Sequence, residues 1–217
     1  MRDEITMKSG NYFDEVAPQW ERLRESFFSK AVRDKALSVA IVQPGRIAAD
    51  IGCGTGFITE GLVQKGLKVI AIDSSQNMLS EMKQKFAGLL AGQDLIEYRL
   101  GEAGSLPIQD ETVDYAFANM YLHHVELPPE AIKEMARILK PEGILVITDL
   151  DCHSFEFLKR EHNDRWMGFT RDEIKRWFEA AGLRDIVVDC VGENCCATSS
   201  CGSESAKISI FVASGRK

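Results

Sequence analysis

What the 217-residue chain lacks narrows its class first. No apolar run approaches the roughly 20 residues that a membrane span needs, so no membrane partner is expected. The opening stretch, MRDEITMKSGNYF, has no apolar core of the kind that an export signal carries. There is no basic excess either: 26 Lys and Arg face 33 Asp and Glu, for a formal charge of -7. That balance disfavours nucleic acid as a partner, because phosphate neutralisation needs a basic surface. No internal repeat or low-complexity stretch occurs. Membrane, secreted and collagen-like classes are excluded, and a cytoplasmic protein, monomer or homodimer, is expected. With 45% hydrophobic and 27% charged residues, it has the composition of one globular domain large enough for a layered core.

A disulfide framework is also missing, although there are six cysteines. Cys53 and Cys152 stand alone, and Cys190, Cys195, Cys196 and Cys201 crowd together near the C-terminus. A chain of this length in a reducing compartment needs no staples.

The apolar pattern supplies what the absences do not. Residues 12–27 carry Tyr12, Phe13, Val16, Trp20, Leu23 and Phe27 at spacings of three and four, which predicts an amphipathic helix. From residue 46 the pattern alternates between short apolar runs and helical periods. Runs at 46–50, 68–73, 95–100, 112–119 and 143–149 read as strands, each assigned a helical step. Thr170 and Glu173 form a capping box ahead of a buried stripe that stops at Gly182. Runs at 185–191 and 207–213 have no helix between them and should pair antiparallel. The predicted fold is α/β: a doubly wound, mostly parallel seven-stranded sheet with a C-terminal antiparallel hairpin. Residues 1–40 would form a helical cap and 44–217 the core of a single domain.

Asp50-Ile51-Gly52-Cys53-Gly54-Thr55-Gly56 joins the first strand to its helix. Glycines allow a tight turn and let a ligand approach the backbone. Asp73 closes the second strand on the same sheet edge, where a carboxylate can accept from ribose hydroxyls. A dinucleotide fingerprint would need a third glycine at 57, where Phe57 stands. A carboxylate at Asp50 would repel a pyrophosphate but suits a ligand that carries an ammonium group.

These segments resemble the class I S-adenosylmethionine-dependent methyltransferases: AADIGCGTGF at 48–57, VIAIDSSQNML at 69–79, LGEAGSLPIQDETVDYAFANMYLHHV at 100–125 and ILKPEGILVITDL at 138–150. The likeness is to the small-molecule branch, with its quinone-biosynthesis enzymes and domains fused to arsenic-repressor-type regulators. NYFDEVAPQW at 11–20 and DRWMGFT at 164–170 look like the latter. The resemblance implies a Rossmann-like fold with S-adenosyl-L-methionine as cofactor and S-adenosyl-L-homocysteine as product. It implies that Gly52, Gly54 and Gly56 face the methionine moiety with Asp50 near its amino group. Asp73 would hold the ribose, Ser74 and Met78 would flank the adenosine, and Glu102 and Ala103 would meet the adenine. Asn119 would sit between methionine and acceptor.

The remaining candidates lie around the acceptor. His123 or His124, after the fourth strand, is the candidate general base. Tyr12 and Trp20 would close a lid. Asp149, Asp151 and His153 alternate past the fifth strand; the spacing permits metal ligation, but we read Asp151 and His153 as lining a pocket and assign no metal. Residues 192–205 are expected to be a long loop hanging beside the site. Its Cys195 and Cys196 admit a metalloid or thiol methyltransferase as an alternative, and a cofactor-binding or metal-sensing module without catalysis is a second.

Overall fold

The computed structural model describes residues 9–89 and 94–217. Residues 1–8 of the expected cap lie outside them.

Three helices precede the sheet: α1 (Ser9–Val16), α2 (Trp20–Phe27) and α3 (Lys30–Ala40), with a 3-10 turn at Ala17–Gln19 between the first two. The single helix expected over 12–27 is therefore broken. Pro18 lacks an N–H and its ring collides with the preceding turn, so the chain tightens there instead of continuing. Ser29 caps α3 by accepting from the Ala31 N–H at 3.1 Å.

The sheet follows the predicted pattern. Its strands are β1 (Ile47–Ile51), β2 (Lys68–Asp73), β3 (Ile96–Leu100), β4 (Val113–Asn119), β5 (Leu139–Leu150), β6 (Arg184–Thr198) and β7 (Ser205–Arg216), in the order β3-β2-β1-β4-β5-β7-β6. All pairings are parallel except those of β7, which runs antiparallel between β5 and β6. Helices α4 (Phe57–Gln64), α5 (Gln76–Leu89), α6 (Pro128–Ile138), α7 (Phe157–Glu161) and α8 (Arg171–Ala180) connect the strands. No helix stands between β3 and β4, so the fifth helical step expected from the pattern is absent. The short segment from Gly101 to Thr112 instead crosses the sheet with bends and turns.

Neighbouring residues of each central strand enter opposite cores, as a sheet covered on both faces requires. Ala48, Val69 and Tyr115 pack under α3, α4 and α5 with Val32, Leu62 and Met82. Ala49, Ile70 and Ala116 pack under α6 and α8 with Ile132, Met135 and Phe178. The capping box at Thr170 and Glu173 is formed as expected.

The C-terminal hairpin departs most from expectation. β6 continues through Cys190, Cys195 and Cys196 with a bulge between Cys190 and Asn194, and pairs with β7 as far as Thr198↔Ser205. The predicted loop of 192–205 is thus mostly strand. Polar and small residues there read as loop, yet ladder hydrogen bonds to β7 satisfy their backbone. No helix among the described residues is long and apolar enough to cross a membrane.

Candidate active site

The carboxyl ends of β1 and β4 flank the point where strand order reverses, and a cavity of about 720 Å³ opens there, the usual place for a ligand in such a sheet. Its lining includes Gly52, Gly54, Asp73, Ser74, Met78, Glu102, Ala103 and Asn119. Most of the expected cofactor residues therefore border one cavity.

The glycine loop is held from both sides. Gly52, Gly54 and Gly56 all have positive φ, at 67°, 52° and 90°, which glycine alone adopts without strain. The Gly54 N–H donates to Asp73 Oδ2 at 2.7 Å, and the Ser75 N–H donates to Oδ1 at 2.9 Å. Burial raises the Asp73 pKa, and these backbone donors pull it back. Gly56 does not reach the cavity; a Cβ there would meet Phe86 at 2.6 Å, so its smallness serves the packing of α5.

Asp50 is 1% exposed and does not line the cavity. Its Oδ2 accepts from the Thr59 N–H at 2.9 Å and the Thr59 hydroxyl at 2.6 Å, anchoring the start of α4 to the end of β1. Burial pushes its pKa up to about 7 despite these two bonds.

The N-terminal helices roof the cavity. Phe13, Asp14, Trp20, Arg24 and Phe28 line it, and Asp14 accepts from the Ser75 hydroxyl at 2.5 Å, tying α1 to the start of α5. Trp20 thus stands in the wall of the cavity. Tyr12 is not in the lining; its hydroxyl faces His162 Nδ1 at 3.5 Å, and Phe13 takes the position expected for it. The Arg24 guanidinium lies 4.4 Å from the Phe57 ring centre. Neither Asp14 nor Arg24 carried a sequence signal, since each faces the cavity only through the docking of the cap.

At the far wall, Asn119 accepts from the Thr148 hydroxyl at 2.8 Å. Met120 follows in a left-handed conformation, φ 49°, a strained setting of the kind found where a chain must turn sharply at a site. His124 and Arg165 line the cavity, whereas His123 lies behind them. The His123 Nδ1 donates to Asp149 Oδ1 at 2.6 Å, and its Nε2 is 3.7 Å from Asp164. Burial would lower the His123 pKa, but Asp149 and Asp164 outweigh it and hold the imidazole at about 9. Burial, followed by the charge of His123, drives His124 well below the usual histidine range.

The other candidates lie elsewhere. Asp151 is held by Arg171 at 3.0 and 2.9 Å and by the Ser209 hydroxyl at 2.5 Å, so it joins α8 to the sheet. His153 accepts from the Phe155 N–H at 3.2 Å. Neither lines the cavity, which corrects their assignment to a pocket wall. Cys195 is buried and Cys196 exposed, as successive residues on a strand must diverge.

Comparison with known proteins agrees with this arrangement. A family model described as a methyltransferase domain matches residues 49–147. Demethylmenaquinone methyltransferase of Bacillus cereus is 38% identical over 120 residues, covering 54% of this chain and 50% of that protein. The 2-methyl-6-phytyl-1,4-hydroquinone methyltransferase 1 of Oryza sativa subsp. japonica is 31% identical over 169 residues, covering 76% and 49%. The chain thus spans about half the length of the curated relatives it matches. A phosphoethanolamine N-methyltransferase 2 of Haemonchus contortus, solved with phosphomonomethylethanolamine and S-adenosylhomocysteine, shares the fold. It superposes with a TM-score of 0.76 at 16% identity, covering 95% of this chain and 58% of that one. A glycine loop clamped by a strand-end aspartate, a sheet closed by an antiparallel β7 and a matching family model agree: residues 49–147 match a methyltransferase domain, and the chain is similar to the class I S-adenosylmethionine-dependent methyltransferases.

Proposed function

We propose that the protein transfers the methyl group of S-adenosylmethionine to a small acceptor that enters between the helical cap and the end of β4. The observation that carries this reading is the continuity of one cavity, which runs from Gly54 and Asp73 to Asn119 and His124. The cofactor would lie along Gly52, Gly54, Asp73, Ser74, Met78, Glu102 and Ala103, with its methyl group facing Asn119. Asp50 would support the loop through Thr59 rather than touch the cofactor.

Methyl transfer is an in-line displacement in which the sulfonium charge disappears. The main work of the site is to align acceptor, methyl and sulfur away from water. Phe13, Trp20 and Phe28 supply an apolar roof for that purpose. His123 and His124 are the proposed catalytic residues: His124 would take a proton from the acceptor, and His123, fixed by Asp149, would position it. A quinone- or hydroquinone-type acceptor, the class named for the Bacillus and Oryza relatives, suits this roof. The metalloid alternative needs converging thiols, and it draws no support from a buried Cys195 beside an exposed Cys196.

The test is isothermal titration with S-adenosylmethionine, followed by methyl transfer from labelled cofactor to a panel of hydroquinones, phenols, amines and thiols. Tight cofactor binding and turnover of one class supports the reading. Cofactor binding with no turnover on any class would favour the non-catalytic module.

A further inference from the structure

Two of the chain's four histidines meet at this end of the cavity: the His123 and His124 rings pack with centres 4.0 Å apart at 48° to each other. Two carboxylates share the region. Asp149 is fully buried and takes the Leu122 N–H at 2.8 Å besides His123. Asp164 differs: its side chain is 4% exposed, and its nearest imidazole nitrogens are His123 Nε2 at 3.7 Å and His124 Nδ1 at 3.9 Å, the latter also 3.2 Å from the Asn163 carbonyl oxygen, which leaves Nε2 as the free nitrogen of His124. Neither distance to Asp164 is a hydrogen bond, and no Lys or Arg among the described residues pairs with either carboxylate. His123 faces both carboxylates and can carry one positive charge, so the two acids together leave room for a further cation.

We propose that His123, His124 and Asp164 bind a divalent first-row transition-metal ion at the acceptor end of the cavity. One ligand atom from each of the three lies within 4.8 Å of the others. Ligands about 2 Å from one tetrahedral ion stand roughly 3.4 Å apart, so a small inward movement completes the set. The His123 Nδ1 is already taken by Asp149, which fixes the tautomer and leaves Nε2 as the metal-binding atom, the usual carboxylate–histidine–metal arrangement. Two imidazoles and one carboxylate suit Zn²⁺, Fe²⁺, Co²⁺ or Ni²⁺ rather than Mg²⁺ or Ca²⁺. Two buried carboxylates are neutralised by a single 2+ charge. Because His124 lines the cavity, the open position faces the place assigned to the acceptor. That role rests on the methyltransferase reading, whereas metal binding itself does not. In the loaded state the lone pair of His124 belongs to the ion, and the ion rather than the imidazole lowers the pKa of a bound hydroxyl or thiol.

The experiment is titration of chelator-stripped protein with Zn²⁺ by calorimetry and with Co²⁺ by visible absorption. S-Adenosylmethionine binding and circular dichroism are recorded on every sample. One equivalent should bind, with the cobalt bands of nitrogen and oxygen ligation. His123→Ala and the isosteric Asp164→Asn should each weaken binding at least a hundredfold while the fold signal persists. Asp149→Asn should keep the stoichiometry and lose 10- to 100-fold in affinity, as expected of a positioning residue. No stoichiometric binding to the wild type would overturn the proposal, as would unchanged affinity in folded Asp164→Asn. A thiolate-to-cobalt charge-transfer band would also overturn it, by placing the ion on the cysteines. Failure of metal binding with intact cofactor binding and turnover would leave the methyltransferase reading standing. Metal binding without any cofactor binding would overturn that reading alone.

Discussion

Gly52 lies so close to Tyr121 that a Cβ at position 52 would stand 2.1 Å from the tyrosine Cδ2. The contact joins the glycine loop after β1 to the turn after β4, the two walls of the cavity. A tyrosine ring cannot bend out of the way, and the φ of 67° at Gly52 already disfavours a side chain. Gly52→Ala should therefore destabilise the fold by about 1–3 kcal/mol and weaken S-adenosylmethionine binding, as read by thermal unfolding and calorimetry. An unchanged melting temperature would mean that the ring moves freely.

Asp73 spends one carboxylate oxygen on Gly54 and the other on Ser75. Asp73→Ala removes a charged acceptor from two backbone donors and, in the proposed placement of the cofactor, from the ribose. Each such bond is worth about 1.5–3 kcal/mol, so the cofactor Kd should rise at least tenfold. Calorimetric titration of the variant with S-adenosylmethionine checks this.

Asp50 gives a pH signature. Its ordinary value of 3.8 rises to about 7 in the folded protein, so between these pH values the native state keeps a proton that the unfolded chain has released. Stability contributed by Asp50 is present below about pH 4, falls as pH rises through the window, and stays low above about 7. Asp50→Asn keeps an oxygen for Thr59 without the charge. It should flatten that fall and gain on the order of a few kcal/mol at pH 8, while matching the wild type at pH 4. Urea unfolding across the window measures it.

Cys201 is exposed, and the Ser199 and Ser203 hydroxyls lower its pKa to about 7. Thiolate is the reactive form. At pH 7.5 iodoacetamide should label Cys201 first, before the buried Cys53 and Cys195. Peptide mapping over time would show it, and Cys201→Ser should abolish the fast phase.

Features written in contiguous residues could be read from the sequence. The strands that carry Asp50 and Asp73 near their carboxyl ends, the glycines between β1 and α4 and the capping box at Thr170 all depend on local spacing, and all lie within a residue of where they are expected. The break at Pro18 also had a local signal, which the aromatic periodicity of 12–27 obscured. The strand character of 192–198 had none, because pairing with β7 decides it. The cluster of His123, Asp149 and Asp164 depends on β4 lying beside β5 and on the segment before α8 folding back over both. Asp50 illustrates the converse. Its position was apparent, but only the structure reveals that Thr59 occupies the carboxylate.

The place of β7 between β5 and β6 sets an order of assembly. β6 is synthesised first, yet it has no partner in the sheet until the later β7 has inserted beside β5. The cap helix α3, made near the beginning, packs against β5, β6 and β7. The roof over the cavity thus waits on the strand of the sheet that comes last in chain order. A nascent chain can build β1, β2 and the glycine loop early, but the cavity closes only when α3 meets β7, the kind of distant pairing that slows folding.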